Sequence, residues 1–248
     1  MSRIATLFFH EWRQQALAPA LLAVGSLFLI LQACLFLLVL QFFNQEPQFL
    51  RPICLWMKTF WLGTLLLVPL LTMRSIAEER MLGTLDSLLS IPVPPATVVG
   101  CKFFACLAHT LTLWTIALIL PWLAQGNLAL PFPFATGQEL FHNFLFLALT
   151  QALYVAVGIF WSTVAAQPIL AGTATFLSLL LLLLAPRAIC QAAAFANHAG
   201  LRHFLGRQEI FTVLAEFQWG IFDCRTLLCY GGATLFLLSC SMLLLRRF

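Results

Sequence analysis

Charge is scarce in this chain, and it gathers in one place. Glu78, Glu79, Arg80 and Asp86 all fall within Arg74–Pro95. A charge run between apolar segments can be no more than a solvated loop. Here Met81, Leu85, Leu88 and Leu89 recur at i, i+4, i+7 and i+8, which marks one face of a helix, and Pro92, Pro94 and Pro95 stop it. A short helix, apolar on one side and polar on the other, in a tight link between two spans, is suited to pressing into a groove on a soluble partner.

Other chemistry finds little support. No GxxxxGK[ST] loop occurs, so nucleotide is not bound by that device. HExxH and CxxC are absent. Cys101/Cys106, Cys224/Cys229 and His198/His203 are each spaced five apart, off one helical face, and no histidine cluster completes a metal site. His109 reads as a hydrogen-bonded bundle histidine. No GxSxG elbow accompanies the serines. Acids inside spans would flag proton relays, but the acids here stand at span ends and in links. The expectation is a chain that is not an enzyme, with no catalytic, cofactor-binding or metal residues. The net charge of +4 is scattered, without the basic stripe that reads nucleic acid, and more naturally meets membrane lipid headgroups.

The elements that must carry the charged link are hydrophobic. Of 248 residues, 62% are hydrophobic and 9% charged, against about 25% charged in soluble domains. That much apolar surface needs lipid as its solvent. Runs of roughly 20 apolar residues cross a bilayer as helices. They occur at Ala18–Phe43, Ile53–Met73, Phe103–Ala124, Leu140–Val164, Ile169–Ala185 and Leu227–Leu245. The predicted fold is an all-α integral membrane protein of six spans, one domain over residues 1–248.

Ahead of the first span, Ile4, Leu7, Phe8 and Trp12 oppose Arg3, Glu11, Arg13 and Gln14, the pattern of an interfacial helix. The link Pro186–Thr226 is semi-apolar, with Phe204, Ile210, Phe211, Val213, Leu214, Phe217, Trp219 and Phe222, and fits helices that dip into the membrane or lie on it. The sequence leaves room for one external disulfide among Cys54, Cys190, Cys224 and Cys229. Six spans place both termini on one side. The compact clusters Arg74/Arg80/Lys102 and Arg246-Arg247 favour the cytoplasm for that side, although Arg51, Arg187, Arg202, Arg207 and Arg225 stand opposite.

The stretch Ala77-Glu-Glu-Arg-Met-Leu-Gly-Thr-Leu-Asp-Ser-Leu-Leu-Ser-Ile-Pro-Val, with Gly100-Cys-Lys-Phe103 after it, resembles the signature of ABC-2 type transporter permeases. Asp86 stands where that family often has glutamate, and Cys101 interrupts its Gly-Lys-Phe. Tyr154-Val-Ala-Val-Gly-Ile-Phe-Trp-Ser-Thr163 is similar to a second family segment, with Ser162 on its first serine. Gly220-Ile-Phe-Asp-Cys-Arg-Thr226 is similar to a third, with Thr226 replacing the final acid. The likeness is closest to the gliding-motility-type branch and covers nearly the whole chain.

The resemblance implies the membrane subunit of an ATP-binding-cassette exporter in the inner (plasma) membrane. Its partners would be a separate ABC ATPase subunit and a second permease copy or paralogue, with no cofactor in this chain. The link between spans two and three would be the coupling helix, with Glu78, Glu79, Arg80, Gly83, Thr84, Leu85, Asp86 and Leu88 at the ATPase interface. The link between spans five and six would hold re-entrant helices. The alternative is a non-transporting scaffold or anchor of a motility or secretion-type machine.

Overall fold

The computed structural model describes residues 3–45, 52–83, 94–127, 135–191 and 209–245. Among these there are helices and no strands: α1 (Arg3–Leu17), α2 (Pro19–Gln45), α3 (Pro52–Met57), α4 (Phe60–Thr72), α5 (Ala77–Met81), α6 (Pro95–Asn127), α7 (Gly137–Val164), α8 (Pro168–Gln191), α9 (Ile210–Gln218) and α10 (Cys224–Leu245). Six segments are long and apolar enough to cross a membrane: Pro19–Gln41, Phe60–Met81, Ala96–Ile119, Gly137–Val164, Pro168–Pro186 and Cys224–Leu245. The chain is a multi-pass membrane protein.

The second span differs from its sequence expectation. It is not continuous from Ile53 but breaks between α3 and α4 at Lys58 and Thr59. The Thr59 amide and hydroxyl both donate to the carbonyl of Trp56, at 2.9 and 2.7 Å, so i−3 bonds replace the i−4 ladder there. Lys58 is exposed at the break. The fifth helix, α8, runs on through Pro186 to Gln191, past the predicted end at Ala185. In the link that follows, α9 buries Ile210, Val213, Leu214 and Phe217, one helical face, and packs that face on α7. Its end is a Schellman turn: Gly220 takes φ +74°, and the Ile221 amide donates to Glu216 O at 2.9 Å. Phe204 and the expected re-entrant segment around it lie outside the described residues. No disulfide joins the described cysteines, Cys54, Cys224 and Cys229 included.

Helices α4 and α7 form the centre. About two thirds of the span window containing α4 is buried, against 22% for the windows of α2, α8 and α10, whose outer faces present Ile30, Leu37, Leu181 and Phe236. Lipid tails are as apolar as leucine, so close approach and hydrogen bonds must hold such helices together. Around the α4 segment, three glycines provide the approach. Gly63 faces Phe28 and Gln32 of α2, Gly158 of α7 faces Thr72, and Gly172 of α8 faces Met73. Buried polar groups add to this: Gln151 of α7 donates to Thr64 Oγ1 at 3.0 Å. Edge-to-face rings continue the contact outward, Phe60 on Phe146 at 5.2 Å and Phe146 on Phe217 at 5.9 Å.

A methyl group on Gly158 would lie 2.7 Å from Thr72 Cβ and 2.8 Å from its Cγ2. Gly158→Ala is therefore expected to force α4 and α7 apart at a cost of about 1–3 kcal/mol. Gly100→Ala, with open space around it, should be neutral or slightly stabilising. Thermal melting of both variants in detergent checks the pair; equal melting points would refute the close-packing account.

Candidate functional site

The polar link lands at one end of the bundle. There α4 ends, α6 begins and the α1–α2 junction lies. Five residues cannot sustain a helix in isolation, so α5 must be held from outside. Its first turn carries Glu78 and Glu79, suited to the positive end of the helix dipole. Its own N-cap position is Ile76, which has no side chain able to cap. Ser162 of α7 supplies the cap instead: its Oγ accepts from the amides of Ile76 at 3.1 Å and Ala77 at 3.0 Å. Ser75 Oγ lies 3.4 Å from the same oxygen and donates to Thr72 O at 3.0 Å. Arg80 Nη1 donates to Ala165 O, 3.4 Å away, in the turn between α7 and α8.

The other attachment is ionic. Lys102 of α6 is 1% exposed. Its Nζ donates to Glu79 Oε1 at 2.6 Å and to Glu11 Oε1 of α1 at 3.0 Å. One ammonium thus ties three elements, α1, α5 and α6. Gln15 Nε2, a turn beyond Glu11, donates to Cys106 Sγ at 3.2 Å, a turn beyond Lys102. Beside the clasp lies a cavity of about 370 Å³ whose polar wall includes Glu11, Gln15, Arg74, Glu78, Glu79 and Lys102.

Of the residues expected at an ATPase interface, Glu79 and Arg80 direct polar atoms into the bundle. Glu78 is half-buried on the cavity wall. Gly83 takes φ +70° just beyond α5 and breaks the helix there, with its flank open. Thr84, Leu85, Asp86 and Leu88 lie outside the described residues. The exposed side chains of this segment are Met81 and Leu82. The roles of Ser162, Glu11 and Lys102 were not legible beforehand. An ionisable residue amid apolar neighbours, as in Gly100-Cys-Lys-Phe-Phe, was the one available signal that Lys102 needs partners. No three described His, Cys, Asp or Glu residues group as metal ligands.

Comparison with known proteins adds no relative: no family model matches the chain, and no curated protein is significantly similar to it.

Removing the Ser162 hydroxyl strips two amides of their acceptor. Ser162→Ala is expected to cost roughly 1–2 kcal/mol, confined to α5. Hydrogen–deuterium exchange at Ile76 and Ala77 should quicken by about 5- to 30-fold, while exchange in the core of α7 stays put. Lys102→Met leaves two carboxylates facing each other without their cation. It should lower stability by roughly 3–5 kcal/mol, with part recovered by adding Glu11→Gln and Glu79→Gln. Melting of the single and triple variants reads this directly.

Proposed function

We propose that the chain is the membrane-spanning permease subunit of an ATP-driven exporter, and that a separate ATPase docks at α5 and the residues after it. In this reading both termini face the cytoplasm and a second permease copy or paralogue completes the membrane domain. The observation that carries it is the placement of the link. A helix too short to stand alone is fixed to α7 by Ser162 and to α6 by Lys102, at the end of the bundle where α4 and α7 end and α6 and α8 begin. A mere connecting loop needs no such attachment. Met81 and Leu82 stay exposed there, at 59% and 65%, and provide apolar contact for a soluble partner. ATP-driven movement of the partner would reach α7 and α8 through Ser162 and Arg80, and α1 and α6 through Lys102. The sequence resemblance to ABC-2 permeases supports the same reading.

Affinity purification of the intact chain from its native membrane should recover a polypeptide with a phosphate-binding loop and ATP hydrolysis. Leu82→Asp should lower that association at least about tenfold, with insertion of the six spans unchanged. Unaltered association and hydrolysis in Leu82→Asp would sink the docking assignment, and a purified complex with no ATPase would favour the scaffold alternative.

A further inference from the structure

The cavity beside α5 holds two opposite charges that do not meet. Arg74 and Glu78 both line it, yet among the described residues neither has an ion-pair or side-chain hydrogen-bond partner. They sit four residues apart across the turn into α5, a spacing at which such side chains pair on a continuous helix. The chain turns at 73–76, so they stand apart on the cavity wall. The remaining lysine is committed, since Lys102 is shared by Glu11 and Glu79. The uncommitted wall is thus one cation and one carboxylate.

Part of the wall is apolar, and it includes the exposed Leu82. Ala18, Leu21 and Leu71 line the same cavity. Next to it, sharing Gln14 and Ala18, opens a groove of about 470 Å³ lined also by Arg13 and Leu17. Leu17 is 61% exposed. The α1–α2 junction borders both spaces, and the end of α4 and the first turns of α6 border the first. Span ends stand near the lipid headgroups when such helices cross a bilayer.

We propose that this cavity binds the phosphoethanolamine headgroup of a membrane phospholipid. Arg74 takes the phosphate, helped by Arg13 at the groove, and Glu78 takes the ammonium. A primary ammonium donates hydrogen bonds to a carboxylate, whereas a quaternary one has no proton to give. The open groove with exposed Leu17 favours a lipid over a free soluble zwitterion, because it gives an acyl chain a path away from the headgroup. The site does not depend on an ATPase docking at α5.

The test uses the purified full chain in detergent, with native mass spectrometry after adding dioleoyl phosphatidylethanolamine, phosphatidylcholine or phosphatidylglycerol. The ethanolamine lipid should be retained at least about tenfold better than the other two. Arg74→Gln and Glu78→Gln should each abolish that preference. Melting without lipid should stay unchanged in Arg74→Gln and fall in Glu78→Gln by no more than the small contribution of a carboxylate at a helix N-terminus. Equal retention of the three lipids, or an undiminished preference in both variants, would overturn the proposal. Soluble phosphoethanolamine at millimolar concentration should not raise the melting point. Protection by it as strong as by the lipid would overturn the assignment to a membrane lipid.

Discussion

An ammonium taken out of water must be matched by negative charge, and at Lys102 that requirement organises one whole end of the molecule. Its desolvation would cost several kcal/mol if it stood alone. Two carboxylates meet it, from helices distant in sequence, at 3.0 and 2.6 Å. Moving either carboxylate outward would leave the ammonium half matched, and moving both would strand it. Helix α1 is therefore docked on α6 and is not free to float on a bilayer surface, and α5 is bound to the same point. The amphipathic pattern of α1 remains, but the polar residue Glu11 is spent inside the protein.

The second constraint is steric. Thr72 lies against Gly158 with no room for even a methyl group. Four residues after Thr72 the chain reaches Ile76, and four residues after Gly158 it reaches Ser162. The close approach of α4 and α7 therefore carries the Ser162 hydroxyl to the amides of Ile76 and Ala77. Packing at the bundle's centre and capping at its end are one geometric fact. A shift between α4 and α7 would have to break the cap or carry α5 along.

Much of this architecture was legible in sequence, for a simple reason. A span is announced by some twenty apolar residues, and no partner is needed to read it. The first, fourth and sixth runs became helices close to their expected ends. The third began earlier, at Pro95 and not Phe103, the fifth ran on past Ala185 to Gln191, and the second broke in two. There the i−3 bonds at Trp56 break the helix at Lys58 and Thr59, two polar positions that hydropathy averaged over a whole span does not register. The site was legible only in outline. Periodicity identifies a polar face but not which way it turns. Glu78, Glu79 and Arg80 look equivalent in sequence, yet Lys102 claims one, Ala165 another, and the third lines a cavity. Those assignments come from residues more than twenty positions away, which local spacing cannot reveal. Ser162 lacks even a local clue, because a cap donated by another helix leaves no Ser-x-x-Glu pattern of the kind that marks Thr136 and Glu139 at the start of α7.

The inward turn of Glu79 and Arg80 changes what α5 can offer a partner. Successive helical side chains are about 100° apart, so engaging positions 79 and 80 with the bundle commits one side of a five-residue helix. The side left over carries Met81 and, past its end, Leu82. Leu82 shares the cavity wall with Glu11, Arg74 and Glu78, at the polar end of the bundle. Isolated exposed leucines need no explanation on a soluble surface. An adjacent methionine and leucine, on a segment held in place by a borrowed cap and a buried ion pair, form a small apolar step. A docking surface benefits from being fixed before its partner arrives, because less ordering entropy is lost on binding. In the proposed docking the charged residues would act mainly by holding the step in position, and the apolar ones would make the contact.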